Sequence, residues 1–335
     1  MLVKTMQEFQ SEVLRQLQFQ PFPQKNYILY TNPKHPEHGF FIKYSHKDYY
    51  EFGIADYTIP KDFKISFYNT NKMMRFGTVY AGETKFYLDD NPVSSFTPSS
   101  FFVVEQSLRG QQEWKRGQHY HGAEITIHEK YFKEVIQPNY PDCIHIEDIL
   151  VNHTYRYLPL DIVTIIQQLQ SLSQKNMLTP IYLESKLLEC IAVLGNEVSK
   201  ETENAFTNQL QFREICIGNH RRIRLTSYDI RAIQKAHDIL TEAATNPPTI
   251  AALSKMVILN EQKLKAGFLL LYHMTIGEYA TSLRMTMAAN LLSTTDLSVE
   301  EIAKQVGYHY CGNFAKSFKK VYGKTPLQFR KGSLS

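Results

Sequence analysis

Hydrophobic positions fall into three patterns along the chain. Between residue 40 and about residue 130, aromatic and β-branched residues gather in short runs: Phe40-Phe41-Ile42, Lys64-Ile65-Ser66-Phe67-Tyr68, Thr84-Lys85-Phe86-Tyr87-Leu88 and Ser100-Phe101-Phe102-Val103-Val104. Turn-forming clusters, Asp89-Asp90-Asn91-Pro92 and Thr97-Pro98-Ser99-Ser100, separate some of them. Short strands at this spacing predict an antiparallel sandwich or small barrel. From about Asp161 the period becomes helical: Ile162, Ile165, Ile166 and Leu169 share one face, and Leu183, Leu187, Ile191 and Leu194 another. Pro180 after Thr179 suits a helix start, where a missing N–H costs little. This helix pair is expected either to close the β-domain or to dimerise the chain. Ser199 to Asn204 is polar and without period, a linker reaching to about Leu225. Its basic tail, Arg221-Arg222-Ile223-Arg224, is either solvated or near phosphates.

The third pattern is a duplication. Leu253-Ser254-Lys255-Met256-Val257 sets above Ile302-Ala303-Lys304-Gln305-Val306 at an offset of 49. At an offset of 50, Leu264 falls on Phe314, Phe268 on Phe318, Tyr272 on Tyr322, Thr275 on Thr325 and Tyr279 on Phe329. Two copies are too few for a solenoid. They suit a pair of helix-turn-helix units.

The second copy carries the sharper signals. Ser298-Val299-Glu300-Glu301 predicts a capping box, with Leu297 and Ile302 placed for a hydrophobic staple across it. Gly307 can take the left-handed conformation that ends the first helix, and the small Ala303 lets a second helix cross closely. That second helix is predicted from about Cys311 to Tyr322, burying Phe314, Phe318 and Val321. Its opposite face offers Asn313, Lys316 and Ser317 to base edges. Lys319, Lys320, Lys324 and Arg330 are placed for phosphates.

In the first copy, Thr249 and Asn260 are the expected caps, Leu264 and Phe268 point inward, and Gln262, Lys263 and Lys265 are the candidate base readers. Ile258 stands where the second copy has Gly307, so a differently built turn is expected there. Ile276 to Leu292 reads as one long connecting helix with Leu283, Met287 and Leu291 on a common side. Such a helix would fix the two recognition helices for successive major grooves about 34 Å apart.

Composition and charge sharpen this picture. The length of 335 residues fits two or three domains, and 43% hydrophobic with 21% charged residues fits a globular protein. No apolar run is long enough to span a membrane, and Met1 to Gln20 lacks the apolar core of a signal peptide. Four scattered cysteines (Cys143, Cys190, Cys216, Cys311) argue against structural disulfides and zinc fingers, and for a cytoplasmic setting. Residues 226–335 hold 13 Lys/Arg against 8 Asp/Glu, whereas residues 1–225 hold 24 against 25. The basic excess sits on the duplicated part, as phosphate binding requires.

The run Val299 to Tyr308, then Asn313-Phe314-Ala315-Lys316-Ser317-Phe318-Lys319-Lys320, then Gly323-Lys324-Thr325-Pro326-Leu327-Gln328-Phe329-Arg330, resembles the signature of the AraC/XylS transcriptional regulators. The resemblance covers about residues 226–332 and implies two helix-turn-helix units joined by a long helix. The basic residue common in the family's second recognition helix falls on Lys316; its counterpart in the first falls on Ala266, which cannot donate to a guanine. Leu183-Glu184-Ser185-Lys186-Leu187-Leu188-Glu189, Asp229-Ile230 and Lys263-Leu264-Lys265-Ala266-Gly267-Phe268 are similar to a branch regulating siderophore and iron uptake.

That resemblance implies an α+β chain: a cupin-like antiparallel β effector domain over 1–157, a helical and possible dimerisation segment over 158–198, a linker over 199–225, and a double helix-turn-helix domain over 226–335. It implies a cytoplasmic regulator, in the first instance an activator, with double-stranded DNA, RNA polymerase, a small-molecule effector of siderophore type and a second copy as partners. No cofactor, metal or catalytic residue is expected.

The competing chemistry lies in His119-Tyr120-His121 followed by Glu124 and His128. Alternate strand residues share a face, so two imidazoles could converge on a metal, as in cupin-type enzymes. The spacing to Glu124 is one or two residues short of the usual cupin motif, and such a His pair is more often surface or hydrogen-bonded structure. The aromatic residues of 40–104 are sheet core by default, with a subset free to line an effector cavity.

Overall fold

A computed structural model of the chain describes residues 2–82, 84–88, 91–96, 99–155, 157–198, 213–217 and 221–333. Asp89, Asp90, Thr97, Pro98 and the Ser199–Asn204 segment lie outside the described residues, as do the side chains of Arg221, Arg222 and Arg224. Two compact units form, residues 1–115 with 119–207, and residues 116–118 with 208–335.

The first unit is rich in β-structure, as the short aromatic runs predict. One sheet orders its strands Leu2–Val3, Phe63–Asn69, Leu108–Trp114, Thr84–Leu88 and Asn91–Phe96. The other runs Ser99–Glu105, Met73–Ala81, His119–His128, Tyr50–Thr58, Gly39–His46, Ile28–Thr31 and Gln20–Pro23. All described pairings between these strands are antiparallel except that of Leu2–Val3 with Ser66–Phe67. Three longer helices accompany the sheets among the described residues, besides shorter helical turns such as those over 129–139: α1 (Met6–Gln16), α2 (Leu160–Gln174) and α3 (Pro180–Val198).

Period-two alternation sends the larger sheet's side chains to two destinations. Phe52, Ile54, Met74, Phe76, Phe102, Val104, Ile125 and Ile127 are buried in one cluster with Ile162, Ile165, Ile166 and Leu169 of α2 and Leu183, Leu187, Ile191 and Leu194 of α3. The helix pair therefore closes the outer face of this sheet, and both predicted helical stripes are buried. The intervening residues Glu51, Gly53, Arg75, Phe101, Val103, Glu105, Glu124 and Thr126 line a cavity of about 310 Å³, walled also by Phe67, Gln112 and Trp114 of the other sheet and Phe9, Val13 and Leu17 of α1. The aromatic runs thus supply core and cavity wall from adjacent positions: Phe102 is core, Phe101 is wall.

In the second unit, a hairpin pairs Arg213–Ile217 with Arg221–Leu225, inside the stretch read as a linker. Each strand spans only five residues, and so short a mix of charged and apolar positions reads equally as a polar linker. Seven helices follow: α4 (Ser227–Glu242), α5 (Ile250–Met256), α6 (Glu261–Tyr272), α7 (Ile276–Thr294), α8 (Val299–Gln305), α9 (Cys311–Tyr322) and α10 (Pro326–Ser333). The chain is α+β, with a β-rich N-terminal region and a helical C-terminal one. No helix among the described residues is long and apolar enough to cross a membrane.

Candidate nucleic-acid interface

The two copies fold alike in detail. Thr249 and Ser298 cap α5 and α8, their hydroxyls accepting from Ala252 N and Glu301 N at 3.2 Å each. The Glu301 carboxylate returns to Ser298 N at 2.7 Å, completing the predicted capping box. Thr275 and Thr325 repeat the device one helix on, with Glu278 and Gln328 as the returning groups. Aromatic stacking repeats as well. Phe268 lies 4.6 Å from Tyr272 and edge-on to Tyr279 at 5.6 Å; Phe318 lies 4.7 Å from Tyr322 and edge-on to Phe329 at 5.3 Å. Each copy therefore locks its recognition helix, α6 or α9, against the following helix with the same aromatic triangle.

Three expectations need correction. The turn at Ile258 is not built differently: Ile258 takes φ +54° where Gly307 takes +85°. The bonds correspond, with Leu259 N on Ser254 O and Tyr308 N on Ala303 O. Val321 is 45% exposed, and Tyr322 completes the buried side instead, because α10 brings Phe329 against it. On α7 the buried residues are Ile276, Tyr279, Ala280, Met285, Ala288, Ala289 and Leu292, with Met287 exposed and Leu283 and Leu291 half-buried. This helix serves both copies, so its apolar face changes partner along its length: Tyr279 meets the first aromatic triangle, Met285 to Leu292 the second core.

The outer face of α9 is basic. Asn313, Lys316, Lys319 and Lys320 are exposed, Ser317 is half-buried, and Lys324 is exposed just beyond the helix. Lys316 and Lys319 follow Gly312 at i+4 and i+7, so the three form one line directed away from Phe314 and Phe318. Arg330 is directed elsewhere, its guanidinium donating to the Leu297 carbonyl.

On α6 the two predicted lysines are engaged. Lys263 Nζ donates to Asp229 Oδ2 at 2.7 Å, tying α6 to the capping box that opens α4. Burial pushes the Asp229 carboxyl up, but Lys263 and the Thr226 N–H and hydroxyl outweigh it and hold it below its usual range. Lys265 pairs with Glu261 at 3.3 Å. Gln262 is exposed beside half-buried Ala266 and half-exposed Leu269. The structure thus leaves Gln262, of the three expected base readers, without a charged partner on its own face.

The His119 region is directed into sheet structure. His119 Nε2 lies 3.3 Å from Asp56 Oδ1 and its Nδ1 3.1 Å from Thr58 Oγ1, and this contact lowers the Asp56 carboxyl. His121, across a strand irregularity from Gly122, is pushed toward the neutral imidazole by burial. Glu124 accepts from Arg75 Nε and Nη2 at 2.8 and 3.0 Å, while Glu105 takes Nη1 at 2.6 Å. Burial works against the Arg75 charge, but the two carboxylates overcome it and raise the guanidinium's proton affinity. Among the described residues, the side chains close enough to share a metal are His35, Glu37 and His38 on a surface turn, not the His119–Glu124 group.

Residues 253–332 match a family described as a helix-turn-helix domain. The chain carries a helix-turn-helix domain. Residues 51–210 match a second family, described as the N-terminal domain of the regulatory protein PchR. The regulatory protein SoxS of Salmonella typhimurium is 29% identical over 98 residues, covering 29% of this chain and 92% of SoxS. The regulator YtdP of Bacillus subtilis is 33% identical over 82 residues, 24% of this chain but only 11% of YtdP. For several such relatives, YtdP and AlkR of Acinetobacter baylyi among them, the chain spans less than a third of their length. The C-terminal domain of the response regulator yesN from Fusobacterium nucleatum is 34% identical, covering 30% of this chain and 98% of that domain, with a TM-score of 0.29. YtdP and AlkR are described as HTH-type transcriptional regulators and SoxS as a regulatory protein.

Proposed function

We propose that this protein is a sequence-specific DNA-binding transcriptional regulator that acts in the cytoplasm as a dimeric activator contacting RNA polymerase. The carrying observation is the exposed basic line of α9, with Lys316 at its centre, on a helix packed against the capping-boxed α8 through Phe314 and Phe318. DNA reading is assigned to residues 226–335 and effector sensing to residues 1–157, with dimerisation on the outer surface of 158–198, since its apolar stripes are taken up by the sheet. In base reading, Gln262, Lys316, Asn313 and Ser317 face base edges, while Lys319, Lys320 and Lys324 meet phosphates. The effector site is the cavity between the two sheets, whose aromatic walls and partly buried Arg75–Glu105–Glu124 group resemble the mostly apolar pockets with few fixed polar groups that small ligands use. Likeness of residues 51–210 to the PchR N-terminal domain supports an effector of siderophore type. Footprinting of the full-length protein on DNA upstream of its own and neighbouring genes should give discrete protected half-sites. Equal binding to all sequences, or none, would overturn the reading.

A further inference from the structure

We infer that the first helix-turn-helix unit reads A·T pairs, chiefly by apolar contact of Leu269 and Ala266 with thymine methyl groups; this rests on the DNA-reading proposal above. The duplication assigns each position of α6 a twin on α9: Gln262 to Gly312, Ala266 to Lys316 and Leu269 to Lys319. Spaced i, i+4 and i+7, these positions lie within about 60° of one another on an α-helix. On α9 this line carries two exposed ammonium groups. On α6 it carries a small methyl group and a leucine that is 49% exposed.

The cations of α6 do not compensate. Lys263 lies off this line and its ammonium is held by the buried Asp229 carboxylate. Lys265 lies beside the line and pairs with Glu261, whose own charge at the start of the helix disfavours a nearby phosphate. Single exposed leucines are ordinary on protein surfaces. What distinguishes Leu269 is its place in the line that the sister helix gives to lysines. A leucine there cannot grip a phosphate. The apolar feature that a major groove offers is the C5 methyl of thymine, and Gln262, at the helix N-terminus, has the amide that pairs bidentately with adenine. The three side chains therefore favour the same base pair by two different chemistries.

The test uses the full-length protein and duplexes it enriches from a randomised pool. Loss of protection in Lys316→Ala identifies the half-site of the second unit. Thymines in the other half-site are then replaced one at a time by deoxyuridine, which lacks only the methyl group. Each contacted thymine should weaken Kd about fourfold, the loss of one buried methyl carbon. Leu269→Ala, a change at an exposed position, should bind thymine and deoxyuridine duplexes equally at the position that Leu269 covers. Leu269→Lys should also lose the discrimination while its salt dependence steepens by about one unit of slope. Equal wild-type affinity for thymine and deoxyuridine throughout that half-site, or discrimination that survives Leu269→Ala, would overturn the inference alone. Failure to enrich any sequence would overturn the DNA-reading proposal itself and this inference with it.

Discussion

Ile258 and Gly307 hold corresponding backbone conformations in corresponding turns, yet they meet different surroundings. A Cβ on Gly307 would lie 1.9 Å from the Thr245 carbonyl oxygen, so glycine is required there by close approach as well as by its φ of +85°. Ile258 is 77% exposed and meets only the intrinsic cost of a β-branched residue in the left-handed region. Ile258→Gly should therefore raise stability by about 1 kcal/mol, since it relieves that strain and sacrifices little burial. Gly307→Ala should lower stability by several times as much, and urea unfolding of the two variants would show opposite shifts of the midpoint. The predicted glycine position was legible from spacing alone. That an isoleucine would accept the same conformation was not, because nothing in the sequence gives a φ value. Lys316 is the residue for the matching functional measurement. Lys316→Ala should weaken binding to a preferred duplex by about 1–3 kcal/mol, and unevenly across sequences if it reads a base. A uniform loss with a shallower salt slope would make it a phosphate contact.

Among the elements, the capped helices show what pattern can and cannot announce. The Ser298 box was readable because capping is a local contract between residues three apart. Lys263 was misdirected by the same kind of local reading, since its partner Asp229 lies 34 residues away on another helix. The buried face of α7 failed likewise: a helix shared by two cores has no single stripe to find. The boxes also make a testable link to pH. Asp229, Glu278 and Glu301 all have carboxyls below their usual range, held by hydrogen bonds from their cap residues and, for Asp229, by Lys263 against the effect of burial. A lowered folded-state pKa means that these boxes contribute stability above the ordinary carboxylate range, near pH 4, and lose it as pH falls through the lowered value. Ser298→Ala should cost about 1 kcal/mol at neutral pH. The gap between wild type and variant should narrow as pH falls from 5 to 3, and a gap independent of pH would mean that the Glu301 carboxylate adds nothing to the cap.

At the scale of the whole chain, pattern separated a β-rich part from a helical one, because period two and period 3.6 are both written in the positions of buried side chains. It did not locate where the helical unit begins. The AraC-like signature points to residue 226, but Leu225 is fully buried, and a Cβ on Gly267 of α6 would sit 3.2 Å from its Cδ1. Thr226 then caps α4 through Asp229 N, so the chain enters this helix directly from the Arg221–Leu225 strand. The hairpin is thus the N-terminal wall of the first helix-turn-helix, and a fragment starting at 226 would lose the Leu225 side chain from its core while starting on its own cap. Fragment 208–335 should consequently unfold cooperatively at a higher urea concentration than fragment 226–335. The difference should be about 2–4 kcal/mol, the cost of removing a buried leucine from a packed site. If both fragments retain the same sequence preference, the hairpin supports the fold without reading DNA. If 226–335 unfolds at the same urea concentration as 208–335, the Leu225 contact carries no stability and the helical unit begins at its first helix.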